Sequence, residues 1–295
     1  MTFSLSKMLM SFSDWVAHLR GVHRYGRLFF CSVGICVMVQ ACSPSPQSET
    51  LRITGSSTIA PIMEEIVKQY KVYHPDAVIE VNTGGSSQGI KDTQQGDSDI
   101  GMVSRSLKPA EDNLETFTIA QDGISLLVHQ SNLVSQLSKQ QIVDIYTGKI
   151  RNWKAVGGND KPIEVLSKTK NHATASLFAS YHALAIDDID ADKLIGDNQE
   201  MLQAVLDNPD AIGYVSIGAA EYKIIHGTPL SLLPLEGVAA TIQNVRNNAF
   251  PLSRPLNLVT LNSPVGEQKA LIEFALSAEV KGIIQEKAFV PMSAL

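Results

Sequence analysis

Apolar and polar residues change period repeatedly along this chain, and the changes mark out its elements. Leu51-Arg52-Ile53 alternates as a short strand, Gly55-Ser56-Ser57-Thr58 breaks the pattern, and a helical period follows. Ile59, Ile62, Met63, Ile66, Val67 and Tyr70 fall on one face of that helix. Pro61 lies in its first turn, and Ser57 or Thr58 is placed to cap it. Ala77 to Val81 predicts a second strand, Gly84 to Gly89 a loop, and Ile90 the start of a second helix. A third strand is expected over Asp99 to Val103, ending at Ser104-Arg105. Further on, strands are expected over Ile124 to His129, Ile163 to Leu166 and Ala211 to Val215. Helices are expected over Lys139 to Tyr146, Ala173 to Tyr181 and Gln268 to Leu276. Strands that alternate with helices imply an α/β protein with a largely parallel sheet. No repeat with a period of about 20–50 residues recurs, which excludes a solenoid or propeller.

Before Thr50 the pattern is of another kind. Arg27 is followed by 14 residues, LFFCSVGICVMVQA, and then Cys42. A basic stretch, an apolar run and a small residue at the end form an export signal, and about 20 residues would be needed to span a bilayer. The tail Val39-Gln40-Ala41-Cys42 resembles the lipobox of bacterial lipoproteins, in which the cysteine is lipidated and becomes the new N-terminus. The expectation is a signal peptide over 1–41 and a lipidated tether over 42–50, rich in Ser and Pro and without apolar residues.

Cysteine and charge then narrow the field. Cys31, Cys36 and Cys42 are the three cysteines of the chain, so residues 43–295 hold no disulfide framework, CxxC metal site or thiol nucleophile. The formal charge of −6 conceals an asymmetry. Lys7, Arg20, Arg24 and Arg27 face Asp14 alone in residues 1–41, leaving 20 basic against 29 acidic side chains in 42–295. Such a body repels phosphate backbones, so no nucleic-acid partner is expected, and a bound anion must be held by local groups.

Those local groups are visible. Gly55-Ser56-Ser57-Thr58, Gly84-Gly85-Ser86-Ser87 and Ser104-Arg105 share one expected design, a strand end, small hydroxyl residues and then a helix start. A helix N-terminus offers unpaired N–H groups and partial positive charge, Ser and Thr add donors, and glycine lets the backbone come close. One such loop is usually just a cap; three within about 55 residues point to one shared anion site at the carboxyl edge of the sheet. Catalytic patterns are thin. GGSSQGIK lacks the Gly-Lys-Ser/Thr ending of a P-loop, and neither Gly-x-Ser-x-Gly nor His-Glu-x-x-His occurs. Asp187, Asp188, Asp190 and Asp192 lack the glycine and distal glutamate of a calcium loop, so no metal and no cofactor is expected.

Five stretches in order carry a resemblance: TGSSTIAPIMEEIVKQY, NTGGSSQGIKDTQQGDSDIGMVSR, IYTGKIRNWKAVGG, AIGYVSIGAAE and NNAFPLSRPLNLV. Together they resemble the phosphate-binding protein of bacterial phosphate ABC transporters, over a span from about Arg52 to beyond Val259. The resemblance implies an α/β, two-lobed periplasmic binding protein of type II-like build, each lobe a mostly parallel sheet flanked by helices. Two crossovers would join lobe 1, over 51–128 plus 253–295, to lobe 2, over 129–252, with hinge closure on the ligand.

Carried across residue by residue, the resemblance places ligand contacts on Ser57 and Thr58, on Ser86 and on Arg105. In the fourth loop the family has an arginine and then Gly-Ser-Gly-Thr. Here Lys168 stands for the arginine, Asn171 and Ala173 for the glycines and His172 for the serine, while Thr174 is kept. Ser57, Thr58, Ser86 and Thr174 would donate to the oxyanion, and Arg105 and Lys168 would balance its charge. No carboxylate presents itself as acceptor for the proton that phosphate retains, and neutral His172 is the candidate for that role. The implied function is capture of inorganic phosphate for uptake, without catalysis. The implied partners are phosphate or a related oxyanion, ABC permease subunits, and a membrane reached through the lipid anchor in the bacterial cell envelope. The alternatives are another oxyanion or a phosphorylated small molecule as ligand, or a surface or sensory lipoprotein of the same fold.

Overall fold

Alternation of strand and helix is what the chain builds. The computed structural model describes residues 50–292, so the signal-like segment, Cys42 and its tether up to residue 49 lie outside the described residues. The strands are β1 (Leu51–Gly55), β2 (Ile79–Thr83), β3 (Ile100–Val103), β4 (Glu115–His129) and β5 (Glu164–Lys168). They continue with β6 (Lys193–Ile195), β7 (Ala211–Ser216), β8 (Leu230–Leu232), β9 (Ser253–Thr260) and β10 (Val290–Pro291). The helices are α1 (Ala60–Tyr73), α2 (Ser86–Gln95), α3 (Lys139–Tyr146), α4 (Ala173–Tyr181) and α5 (Asn198–Asp207). After them come α6 (Ile217–Ile225), α7 (Ile242–Arg246), α8 (Gly266–Leu276) and α9 (Lys281–Glu286).

The sheet path runs β2-β1-β3-β9-β4-β7-β5-β6, with β8 and β10 attached to β4. Its two wings, β2-β1-β3 and β7-β5-β6, are parallel, as the alternating pattern predicts. Its middle is antiparallel, because β4 pairs with β9 and β7 and β9 pairs with β3. The middle is also where two apolar clusters meet. One gathers α1, β1, β3, α8 and α9 around Ile53, Ile66 and Leu271. The other gathers α3, β5, β7 and α7 around Tyr146, Phe178 and Tyr214. Strand β4 serves both, giving Ile119 and Ala120 to the first and Ile124, Leu126 and Val128 to the second. Strand β9 does likewise, with Leu256 and Leu258 in the first and Leu252, just before it, in the second.

Helix α1 shows how the sequence sets these pieces. Ala60, Ile62, Met63, Ile66, Val67 and Tyr70 are buried, the face that the period predicts together with Ile59. The cap differs from expectation: Ile59 occupies the N-cap position and no side chain caps the helix. Full burial of Ile62, Met63 and Ile66 is worth about 1.5–3 kcal/mol each, against about 1 kcal/mol for a cap, so packing holds the helix start without one. Helix α2 also differs, starting at Ser86 rather than at Ile90. Gly89 is read from sequence as loop, yet a β-carbon there would lie 2.7 Å from the Thr54 carbonyl oxygen and 2.8 Å from the Gly55 Cα. Its missing side chain is what lets α2 lie against β1. Among the described residues no helix is long and apolar enough to cross a membrane.

Candidate functional site

The carboxyl ends of β1, β3 and β5 put Ser56, Ser104 and Lys168 near one place, and three helices begin there. Neither α1, α2 nor α4 has a side-chain cap, a lack they share with α8 and α9, whereas α3, α5, α6 and α7 are capped. At α1 the first amides are spent locally, Thr58 N on Ser56 Oγ and Ile59 N and Ala60 N on Ser56 O, which leaves the starts of α2 and α4 to offer amides to an outside acceptor. At α2 the N-cap is Gly85, at φ 89°, and a β-carbon there would lie 2.6 Å from the Asn171 carbonyl oxygen. The two loops touch through that glycine: Ser87 N donates to Asn171 O at 3.2 Å, and Asn171 Nδ2 donates to Gly84 O at 2.6 Å.

At the centre stands Arg254, a residue to which the sequence reading assigned no role. It sits opposite Asp122 in the β9–β4 ladder, and the two form a fully buried ion pair, Nη2 to Oδ2 at 2.9 Å and Nε to Oδ2 at 3.2 Å. The other carboxylate oxygen accepts from Gly218 N at 3.1 Å, at the start of α6. Arg254 Nη2 donates further to Thr58 Oγ1 at 3.1 Å, and Nη1 to Thr174 Oγ1 at 3.0 Å and Ser104 Oγ at 3.3 Å. All five N–H groups of the guanidinium thus have acceptors. This fills lone pairs on Thr58, Thr174 and Ser104, so that their own protons must point elsewhere. Arginine here orients hydroxyls.

The hydroxyls form a connected set. Ser56 Oγ donates to Ser104 Oγ at 2.9 Å and accepts from Thr58 N at 3.2 Å. Ser86 Oγ accepts from Ser104 N at 3.0 Å and lies 3.3 Å from Ser104 Oγ. Ser56, Thr58, Ser86, Ser104 and Thr174 are all buried. Asn198, the first residue of α5, closes the set by donating from Nδ2 to Thr58 Oγ1 at 3.0 Å.

Charge is distributed unevenly around this set. Arg254 is neutralised by Asp122. Arg105 is neutralised as well, because its fork holds Glu111 through Nη1–Oε2 at 2.7 Å and Nη2–Oε1 at 2.8 Å. Burial pushes the Glu111 carboxyl up, but the bonds from Arg105 and Lys108 carry it below its ordinary range. Lys168 is different. It is 1% exposed, forms no salt bridge, and its Nζ has no hydrogen-bond partner among the described residues. Burial pulls its ammonium down to about 7; Asp197 and Glu200 favour the charge and Arg254 opposes it. The stem that carries it is rigid: Lys168 N donates to the Tyr214 hydroxyl at 3.0 Å, and the Tyr214 ring stacks on Phe178 at 4.0 Å. A cation that is buried, unpaired and close to a second cation is an arrangement that an anion would relieve.

The residues named from sequence therefore divide. Thr58, Ser86, Lys168 and Thr174 come together at one site. Ser57 is half-buried at its rim, lining a surface cleft of about 430 Å³ that adjoins the site through Thr58 and Asn198, while its neighbour Ser56 is buried. No α-helix follows Ser104-Arg105, which leads to a single turn at Pro109–Glu111; the Arg105 carbonyl accepts from Asn257 Nδ2 at 2.9 Å, and its guanidinium faces Glu111. His172 is half-buried at the start of α4, with Nδ1 2.9 Å from Thr169 Oγ1 and 3.1 Å from Asn171 Oδ1. Burial, and then the Lys168 charge, keep its imidazole below the ordinary value. Arg254, Asp122 and Asn198 carry no role in the sequence reading, although Arg254 lies within the NNAFPLSRPLNLV stretch, while Ser56 and Ser104 belong to its hydroxyl loops without being named as ligand contacts.

The chain is similar to known proteins over most of its length. A family model described as the PBP superfamily domain matches residues 41–279. The phosphate-binding protein PstS of Staphylococcus haemolyticus (strain JCSC1435) is 30% identical over 248 residues, which is 79% of this chain and 78% of that protein. A Clostridium perfringens structure described as a phosphate ABC transporter substrate-binding protein with bound phosphate is similar at 35% identity and a TM-score of 0.77. It aligns over 83% of this chain and 100% of its own. An ABC-type phosphate transport receptor from Vibrio cholerae is similar at 32% identity and a TM-score of 0.68, over 82% of this chain and 100% of its own.

Proposed function

Since this chain belongs to the PBP superfamily, with PstS phosphate-binding proteins among its relatives, we propose that it captures inorganic phosphate and delivers it to the permease subunits of an ABC transporter. The observation that carries this reading is Lys168: a buried, unpaired cation beside a ring of oriented hydroxyls and the uncapped starts of α2 and α4. Anions bind at such helix starts through backbone N–H groups and the local dipole. Thr58, Thr174, Ser86 and Ser104 donate to the oxyanion, with the Ser56 proton spent on Ser104, Ser57 stands at the rim, and Lys168 supplies the net charge. Arg254 aims the hydroxyls, and Arg105, held by Glu111, steadies the loop after β3. The protein binds and releases without catalysing a reaction.

In the same reading, the two apolar clusters belong to two lobes, expected over 51–128 plus 253–295 and over 129–252; Ile124, Leu126 and Val128 pack in the second cluster, so the crossings fall within β4 and just before β9. The bonds that span the two ranges, from Arg254 to Thr174, from Asn198 to Thr58 and from Asn171 to Gly84, would then form when the lobes close. Lipidation at Cys42 would hold the protein at a membrane of the bacterial cell envelope. The reading is tested by thermal unfolding of protein stripped of phosphate, with phosphate, sulfate or molybdate added. A ligand at about 100 times its Kd stabilises by about 2.7 kcal/mol, so phosphate should raise the melting temperature clearly. No shift with any of the three anions would sink the proposal.

A further inference from the structure

We infer that Asn198 selects among oxyanions: its side-chain carbonyl accepts the hydrogen that a phosphate retains and a sulfate lacks. The inference rests on phosphate being the ligand and goes further, to the atom that recognises it.

Asn198 is 4% exposed at the start of α5. Its amide nitrogen donates to Thr58 Oγ1, which also accepts from Arg254 Nη2. Both acceptor positions of that hydroxyl are then filled, and its proton is free to donate away from Asn198. The same contact orients the amide, nitrogen toward Thr58 and oxygen away. That oxygen, Oδ1, is buried and has no hydrogen-bond partner among the described residues.

A matched pair of unmet groups therefore flanks one hydroxyl set. Lys168 Nζ is a donor without an acceptor, and Asn198 Oδ1 is an acceptor without a donor. His172, the acceptor expected from sequence, is only half-buried and turns Nδ1 to Thr169 and Asn171, and the nearby carboxylates are committed. Asp122 gives Oδ2 to Arg254 and Oδ1 to Gly218 N. Asp197 is half-buried rather than enclosed, and its Oδ1 caps α5 by accepting from Glu200 N. A fully deprotonated tetrahedral anion brings only acceptors; it satisfies Lys168 and sets an oxygen against the bare carbonyl. A monoprotonated or diprotonated anion satisfies both. A neutral amide makes this distinction without adding a second negative charge, which matters in a site whose net charge comes from one lysine. Leaving a buried acceptor unpaired disfavours the wrong ligand by about ten- to a hundredfold.

The test is calorimetric titration of phosphate and of sulfate into anion-free full-length protein, wild type and two variants. Asn198→Ala should weaken phosphate about tenfold or more beyond whatever sulfate loses with the Thr58 contact, so that the preference shrinks by that factor. Asn198→Asp keeps an acceptor of the same shape and should keep the preference even as both anions bind less tightly. Equal loss of both anions in Asn198→Ala would overturn the inference, because Asn198 would then serve only to place Thr58. Loss of preference in Asn198→Asp would overturn it too, and this near-isosteric variant answers the question if the alanine variant does not fold. A wild type that binds neither anion removes the phosphate reading itself, an outcome visible before any variant is made.

Discussion

Two buried cations at this site have opposite circumstances, and each predicts its own behaviour. Arg254 has its counter-charge built in. Removing one partner of a buried pair strands the other, at a cost of about 3–5 kcal/mol, so Arg254→Ala should lower unfolding free energy by about that much in a denaturant titration. The double variant Asp122→Leu/Arg254→Met should recover part of the stability and none of the anion binding, since the hydroxyls lose their orientation. Lys168 has no salt-bridge partner among the described residues, and Asp197 and Glu200 favour its charge only from further off. Its folded value, about 7, lies below the unfolded 10.5, so between those values the unfolded chain binds the proton more strongly. Stability from this group therefore rises with pH across that window, and the full penalty applies below about pH 7. An arriving anion reverses the preference and draws a proton in. Calorimetry at pH 8 in two buffers of different ionisation enthalpy should show an uptake of about one proton per anion that Lys168→Met loses. Equal uptake by both proteins would rule out this account of Lys168.

In the proposed reading helix starts, rather than helix bodies, meet the anion, and their positions depend on small contacts between loops. The α4 start carries Asn171, which spans to the α2 start through Gly84 O and Ser87 N. In place of a glycine, asparagine gives this loop a side-chain bond as well as a backbone one. One such bond contributes about 0.5–1.5 kcal/mol. Asn171→Ala should therefore speed phosphate release by about two- to tenfold in stopped-flow displacement, with little change in the melting temperature of the anion-free protein. An unchanged release rate would show that this contact does not hold the bound state.

Across the whole molecule, the site works against its own surroundings. Residues 42–295 carry 29 acidic side chains against 20 basic ones, so an approaching phosphate meets a repelling field and is attracted only at short range. Raising ionic strength from 0.01 to 0.15 M shortens the screening length from about 30 to about 8 Å. Capture should become faster over that range, the reverse of ordinary electrostatic steering, and stopped-flow association at a series of salt concentrations measures it. Slower capture at higher salt would mean that a local positive field reaches well beyond Lys168.

Much of this was legible in the chain. The helices over Lys139–Tyr146 and Ala173–Tyr181 match their expected bounds, and the α1 face and the three hydroxyl loops lie where the pattern puts them. Periodicity records local order, and helix starts are local. What it does not record is which partner a side chain finds across the fold. Arg254 meets Asp122 over a separation of 132 residues and Thr58 over 196, because β4 and β9 share a register that no local pattern encodes. Arg105 reads as a free cation until Glu111, six residues on, is seen to fold back onto it. Asn198 has no motif of its own and becomes significant only beside Thr58. The sequence by itself determined that anion-binding helix starts exist and that the body around them is acidic. The tertiary structure decided which cations stay uncompensated and which lone pairs stay open, because both depend on neighbours that only the closed sheet brings within hydrogen-bonding distance.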